Sequence, residues 1–246
     1  MNTHKLFYFA LAIIGIVSCK TTTNTFTDNQ IIALNNAQDD NHLELIALKG
    51  EGHNNPTFAI WIEDMEGKYI RTLFITKSFA TGIYAYGALN DSTWSNKPGA
   101  STRPAALPYW SFKKGLIDDK YLTPEKDHPF VDANSGATPK GSFTLKTDNP
   151  NKNKFRIVME VNQTWDWNKY WTNSKYPGNR NYMSSAQPSV IYAVTIDLSE
   201  PMESYILNPI GHGHYAGDNG ALYTDLSTLT SALKIFERLE VKIKYN

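Results

Sequence analysis

Two neighbouring segments predict a β-hairpin, and this hairpin constrains the fold more than any other part of the sequence. Residues 58–64 and 69–75 are rich in aromatic and β-branched side chains, which favour strands. They flank Asp64-Met65-Glu66-Gly67, where the glycine suits a tight connection that needs positive φ. We interpret the acidic tip as a solvated turn, since its spacing matches no calcium-binding loop. The hairpin therefore predicts an antiparallel sheet.

Further strands are predicted on both sides of this hairpin, from apolar or alternating runs bounded by turn-forming residues. They cover residues 43–48, 141–147, 155–162, 189–198, 202–207 and 239–245. A short helix is predicted over 226–235, capped by Thr224 or Asp225. Hairpins dominate, and strands do not alternate with helices. The predicted fold is therefore mainly β: an antiparallel immunoglobulin-like β-sandwich with long loops and one short C-terminal helix.

The N-terminus predicts an exported protein. The apolar run Leu6–Val17 follows a short basic start and is too short to span a bilayer, so it indicates a signal peptide. The run ends in Ile16-Val17-Ser18-Cys19, which resembles the lipobox of bacterial lipoproteins and implies a lipid on Cys19. The predicted organisation is a signal peptide at 1–18, a flexible lipid-anchored tether at 19–41 and one β-sandwich domain at 42–246. We expect an extracytoplasmic, membrane-anchored location, on the periplasmic or outer-membrane face of a Gram-negative-type cell.

Charge and motifs narrow the classes of function. The 24 Lys and Arg residues balance 24 Asp and Glu residues, so there is no electrostatic case for nucleic-acid binding. The chain shows no nucleophile elbow, phosphate-binding loop or zinc-protease helix motif. Cys19 is the only cysteine, so burial rather than a disulfide must hold the domain together. We expect an electron carrier or a binding module rather than an enzyme.

The first candidate site is the mid-chain segment Asp132-Ala133-Asn134-Ser135-Gly136-Ala137-Thr138. Ser135 and Gly136 predict a turn that leads into a strand and presents the Thr138 hydroxyl outward. The segment also resembles the acceptor motif of bacterial proteins in which a flavin transferase esterifies the phosphate of FMN to the final threonine. That resemblance implies covalent FMN on Thr138, with Asp132, Ser135, Gly136 and Ala137 as the motif positions that the transferase recognises. Pro139 restricts Thr138 to extended conformations.

Two other features provide alternatives. Segment 165–182 holds six aromatic residues among polar ones, and it either offers a surface for a planar ligand, a sugar or a protein partner, or packs as its own core. His212 and His214 are two residues apart and can reach one metal ion or haem, or can be hydrogen-bonded loop histidines. A third metal ligand has to come from elsewhere in the chain. The candidates are His53, His128 and Asp218.

Several ordered blocks across residues 42–246 resemble a bacterial periplasmic family, the domain of unknown function 2271. The blocks are 61–64, 67–73, 132–138 with Gly141, 160–162, 187–189 with Tyr192, and 211–232. The resemblance implies an exported β-sandwich found in the company of membrane redox proteins and flavin transferases, without an established activity. We therefore expect an accessory of a membrane redox or metal-uptake system.

Overall fold

The computed structural model describes residues 29–34, 42–90, 93–150 and 152–244. Two mainly antiparallel sheets pack face to face around one apolar layer, which confirms the predicted mainly-β sandwich. The predicted signal peptide and Cys19 lie outside the described residues. Among the residues that are described, no helix is long and apolar enough to cross a membrane.

The described part of the chain contains thirteen strands, and the predicted hairpin is confirmed as β3 and β4. The strands are β1 (Gln30–Ala33), β2 (His42–Lys49), β3 (Thr57–Glu63), β4 (Tyr69–Thr76), β5 (Ile83–Tyr84), β6 (Gly99–Ala100), β7 (Ser135–Gly136), β8 (Phe143–Asp148), β9 (Lys154–Asn162), β10 (Val190–Asp197), β11 (Tyr205–Ile206), β12 (Asn208–His212) and β13 (Phe236–Lys244). The first sheet has the order β1-β8-β2-β13-β11 and the second β12-β10-β9-β3-β4-β7, while β5 and β6 pair separately. The pairs β1–β8 and β4–β7 are parallel.

Strand β1 comes from the segment that the sequence predicts as a tether. Its four residues pair with β8 at the edge of the first sheet. Leu34, directly after the strand, is buried in the core between the sheets. Ile31, Ile32 and Leu34 provide the apolar side chains of this edge. Part of the predicted tether therefore belongs to the sandwich, and the ordered domain includes residues before the predicted boundary at 42.

The second sheet is covered on both faces, and β3 shows this most clearly because all seven of its residues are buried. Phe58, Ile60 and Ile62 belong to the core between the two sheets. Ala59 and Trp61 belong to a separate cluster on the outer face. Successive side chains of a strand point to opposite faces, so an unbroken apolar run is what burial on both faces requires.

The outer face of the second sheet is covered by the loop-rich region between β4 and β8. This region carries α1 (Lys77–Thr81) and α2 (Pro108–Lys114). Phe79 and Trp110 from these helices, together with Phe130, pack against the apolar side chains of the sheet. The irregular region is therefore a packed third layer.

The predicted helix at 226–235 is wrong in extent and type. Only Ser231–Lys234 is helical, as a single 3₁₀ turn. The amide of Leu229 donates to Leu226, three residues back, and the amide of Thr230 donates to the side chain of Gln187, which draws this segment out of an α-helical path. Three short α-helices were not predicted with these limits: α1, α2 and α3 (Arg180–Ser185).

One buried carboxyl joins the sandwich to the outer layer. Glu160 on β9 is fully buried and accepts hydrogen bonds from the Ser189 hydroxyl (2.5 Å) and from the backbone amides of Tyr109 (3.1 Å) and Trp110 (2.6 Å). Burial raises the pKa of Glu160 to about 7, although the three hydrogen bonds oppose that shift. A carboxyl that titrates near neutrality therefore links β9, β10 and the start of α2.

Replacing Phe58 by alanine should destabilise the protein by roughly 3–5 kcal/mol, because a fully buried aromatic ring leaves a cavity. The Phe58 ring lies 5.4 Å from the rings of Phe74 and Phe143, so its loss removes contacts both within one sheet and between the two. Urea unfolding measures the effect. Val131→Ala is the matched control, since that side chain is 77% exposed and its truncation should leave the midpoint nearly unchanged. Equal midpoints for the two variants would contradict this description of the core.

Glu160 should make stability fall as the pH rises from about 4.5 to about 7. The pKa is about 7 in the folded chain and 4.5 in the unfolded chain, so the folded state holds a proton that the unfolded state releases. The stabilising contribution is complete below pH 4.5 and is lost as pH rises through 7, by on the order of 3 kcal/mol. In Glu160→Gln this part of the pH dependence should vanish. Denaturant unfolding of both proteins at the two pH extremes checks it, because other titrating groups cancel in the difference. Parallel pH profiles for the two proteins would show that Glu160 does not titrate in this range.

Candidate functional site

The segment Asp132–Thr138 is not the turn that its sequence predicts. Ser135 and Gly136 form β7, which pairs in parallel with Ile75 and Thr76 at the edge of the second sheet. Gly136 does not have a positive φ. Its Cβ would instead lie 3.1 Å from a carbon of the Phe74 ring, so glycine is favoured here by close packing. Backbone pairing with the edge of β4 keeps this segment extended.

The motif residues lie on the surface. Asp132, Ser135 and Ala137 are exposed, and Thr138 is half-buried. The hydroxyl of Thr138 donates a hydrogen bond of 3.0 Å to the backbone carbonyl of Pro56. The Thr138 side chain is thus directed by a single neutral hydrogen bond at the protein surface.

Basic side chains lie on both sides of the motif. Lys140 follows Thr138 by two residues and is exposed, and the ammonium group of Lys49 donates to the carbonyl of Lys140 at 3.0 Å. At the other end, burial lowers the pKa of Lys114 to about 8, and the charge of Asp132 opposes that shift. Lysines therefore flank the motif on both sides, together with the carboxylate of Asp132.

A second group of candidate residues surrounds the end of β12. His212 is the last residue of this strand, and its backbone exchanges two hydrogen bonds with Tyr223, at 2.8 and 3.0 Å. This bridge stacks the two rings, with centroids 5.3 Å apart and planes 14° from parallel. The ring of His214 lies 6.0 Å from that of Tyr223. Both predicted histidines therefore lie beside Tyr223.

Hydrogen bonds assign different tautomers to the two imidazoles. His212 Nδ1 lies 2.7 Å from the carbonyl oxygen of Gly213, which can only accept, so Nδ1 carries the proton and Nε2 is an acceptor. His214 Nδ1 receives the backbone amides of Ala216 (3.3 Å) and Asp218 (3.2 Å), so it is unprotonated and Nε2–H is a donor. Metal binding at His214 Nε2 would need the other tautomer, with an N–H facing two N–H donors. His214 is therefore unsuited to be a metal ligand.

The three candidate third ligands do not complete a metal site. His128 bonds to Asp118 at 2.9 Å, and His53 packs on Phe236. Asp218 lies near His214, with its carboxylate 3.8 Å from Nδ1. Within the ranges that the structure describes, no three His, Cys, Asp or Glu side chains converge to hold a metal ion.

The aromatic loop 165–182 divides between core and surface. Trp171 and Tyr182 are buried in the main core, and Tyr176 stacks on Tyr215 with ring centroids 4.0 Å apart. Tyr170 differs, since it is 52% exposed. Most aromatic side chains of the loop thus pack into the main core, whereas Tyr170 keeps about half of its surface exposed.

A cavity of about 240 Å³ lies between this loop and the two histidines. Its walls combine exposed aromatic rings with hydrogen-bonding groups from the loop, from β12 and from the segment before the 3₁₀ turn. The lining residues are Tyr170, Trp171, His212, Gly213, His214, Tyr215, Tyr223, Asp225 and Thr228. Gly213 allows the segment after β12 to approach the sandwich closely, because a Cβ there would lie 2.6 Å from Ser189 Oγ.

Asn168 fixes two walls of the cavity relative to each other. Its side-chain oxygen Oδ1 accepts from the amides of Tyr170 (2.9 Å) and Trp171 (2.7 Å), and its Nδ2 donates to the carbonyl of Thr228 (2.9 Å). The indole N–H of Trp171 also donates to Thr228 Oγ1, at 3.2 Å. The loop is therefore attached to residue 228 before any ligand binds.

Five cavity residues were not predicted as site residues: Gly213, Tyr215, Tyr223, Asp225 and Thr228. Hydrogen bonds from the side chain and backbone of Ser227 hold the pKa of Asp225 below its ordinary value. Asp225 was interpreted only as a helix cap, although it follows the glycine-rich segment 211–220 closely. Its closeness in sequence to His212 and His214 was the signal that could have identified Asp225 as a site residue.

Comparisons with known proteins assign the chain to no group. No family model matches it, and no curated protein or solved structure is significantly similar to it. The resemblances to the family of unknown function 2271 and to the covalent-FMN acceptor motif therefore stay predictions.

Proposed function

We propose that this protein is an extracytoplasmic electron carrier that holds FMN as a phosphate ester on Thr138. The observation that supports this proposal best is the conformation of Asp132–Thr138. The alternative explanation for the Ser-Gly pair was a turn with positive φ, and this segment is instead an extended edge in which Asp132, Asn134, Ser135 and Ala137 are exposed and Thr138 is half-buried. An exposed and extended segment is the kind of backbone that a modifying enzyme can reach.

The residues present at Thr138 fit an ester to a phosphate. The hydroxyl engages only the carbonyl of Pro56, and replacing its proton removes that one bond, at a cost of about 1 kcal/mol. Lys140, two residues after Thr138 and exposed, is the nearest cation along the chain to a phosphate on that hydroxyl. Pro139 restricts the backbone of the acceptor residue to extended conformations.

In this proposal the chain supplies attachment and location, and FMN, when bound, supplies the electron chemistry. A covalent bond suits an exported carrier, because a flavin lost outside the cytoplasm cannot readily be replaced. The lipid predicted on Cys19 is part of the same proposal, since it keeps the carrier beside membrane redox proteins or a metal-uptake system. The partners implied are a flavin transferase and those membrane proteins.

Co-expression of the full chain with a bacterial flavin transferase should give a yellow protein. Mass spectrometry should find the mass of FMN, less one water, on the peptide that contains Thr138. Thr138→Ala should abolish this addition, and Thr138→Ser should retain it because the hydroxyl is kept.

Thr102→Ala is the control, since Thr102 is an exposed threonine that lies outside the motif. An unmodified Thr138 peptide in a culture where a known acceptor protein becomes flavinylated would refute the proposal. A flavin found on another residue would refute the assignment to Thr138.

A further inference from the structure

The cavity beside β12 is a built site that the flavin proposal does not use. At about 240 Å³ it is smaller than the roughly 300–1,000 Å³ of sites that enclose drug-sized ligands. It therefore suits a single ring rather than the three fused rings of a flavin. None of its lining residues belongs to the segment Asp132–Thr138.

The hydrogen-bonding groups of the cavity have mixed character. His212 Nε2 and the carboxylate of Asp225 accept, His214 Nε2–H donates, and Thr228 lies at the same wall. A hydroxyl group is the simplest ligand group that can donate to one of these atoms and accept from another. An adjacent pair of hydroxyls can satisfy both imidazoles in the tautomers that the protein backbone already selects.

The aromatic walls require a ligand with flat apolar faces as well. Tyr170 is 52% exposed and Tyr223 is 37% exposed, so both rings offer surface to the cavity. The ammonium group of Lys175 lies 3.1 Å from the centre of the Tyr170 ring, so a ligand has to contact the part of the ring that Lys175 does not cover. Amphipathic rings of this kind contact an apolar surface while polar groups at the edge fix its orientation.

We propose that this cavity binds the pyranose ring of a carbohydrate, with its C–H face against Tyr170 or Tyr223 and neighbouring hydroxyls on His212 and His214. A pyranose combines two weakly polar faces with a rim of hydroxyls, which matches the distribution of groups in the cavity. An aromatic heterocycle carries fewer hydroxyl groups at its rim and would therefore use fewer of the donors and acceptors of the cavity.

Calorimetric titration of the full chain with glucose, galactose, mannose, N-acetylglucosamine and short oligomers of each tests this proposal. At least one sugar should bind saturably, and oligomers should bind with the same stoichiometry if one terminal ring enters the cavity. Tyr170→Ala and Tyr223→Ala should each weaken binding, by about tenfold for the ring that stacks. His212→Phe keeps a ring beside Tyr223 and removes the acceptor, so it should weaken binding as well.

Two controls make the result specific. Tyr86→Ala removes an aromatic side chain of similar exposure outside the cavity and should leave the affinity unchanged. Thr138→Ala should also leave it unchanged, so failure of the flavin proposal does not affect this measurement. Absence of binding across the panel, or binding that survives both tyrosine variants, would overturn the proposal. Zn²⁺ bound by wild type and lost in His214→Ala would overturn the tautomer assignment on which it rests.

Discussion

Burial of one sheet on both faces is the constraint on which the rest of this structure depends. The chain has a single cysteine, in a part of the sequence outside the described domain, so no disulfide can stabilise the fold. Trp61 and Trp110 bury their rings on the outer face, while Phe58 packs between the sheets. The third layer is therefore as much a part of the core as the first sheet. It also carries α2, whose first amides bond to Glu160.

The strands were predictable because their signals are local. The β3–β4 hairpin combines β-branched and aromatic runs with Gly67, whose φ is +77°. Helix α2 also carries local signals that were not used, namely Pro108 at its start, two lysines in its last turn and Gly115 after it. The helix predicted at 226–235 failed for the opposite reason. The amide of Thr230 donates to the side chain of Gln187, which is distant in sequence. A pattern read from neighbouring residues cannot predict such a hydrogen bond.

The candidate sites show the same division between local and distant information. Thr138, His212 and His214 could be selected from short patterns. The conformation of Gly136 could not, because it depends on the Phe74 ring and on pairing with β4. The cavity likewise brings together Tyr170 and Thr228, more than fifty residues apart, through the hydrogen bonds of Asn168. The two histidine tautomers depend on backbone groups within four residues of each ring, whereas the assembly of the cavity depends on contacts between distant parts of the chain.

The position of β1 fixes where the N-terminal segment joins the sandwich. If Cys19 carries a lipid, residues 20–29 are all that separates the anchor from the edge of the first sheet. A chain of that length reaches at most roughly 40 Å when fully extended. The domain is then confined to a thin layer beside the membrane. Within that layer, the length of this connecting segment sets the effective concentration of the domain near a membrane-bound partner, whatever the bulk concentration of the protein.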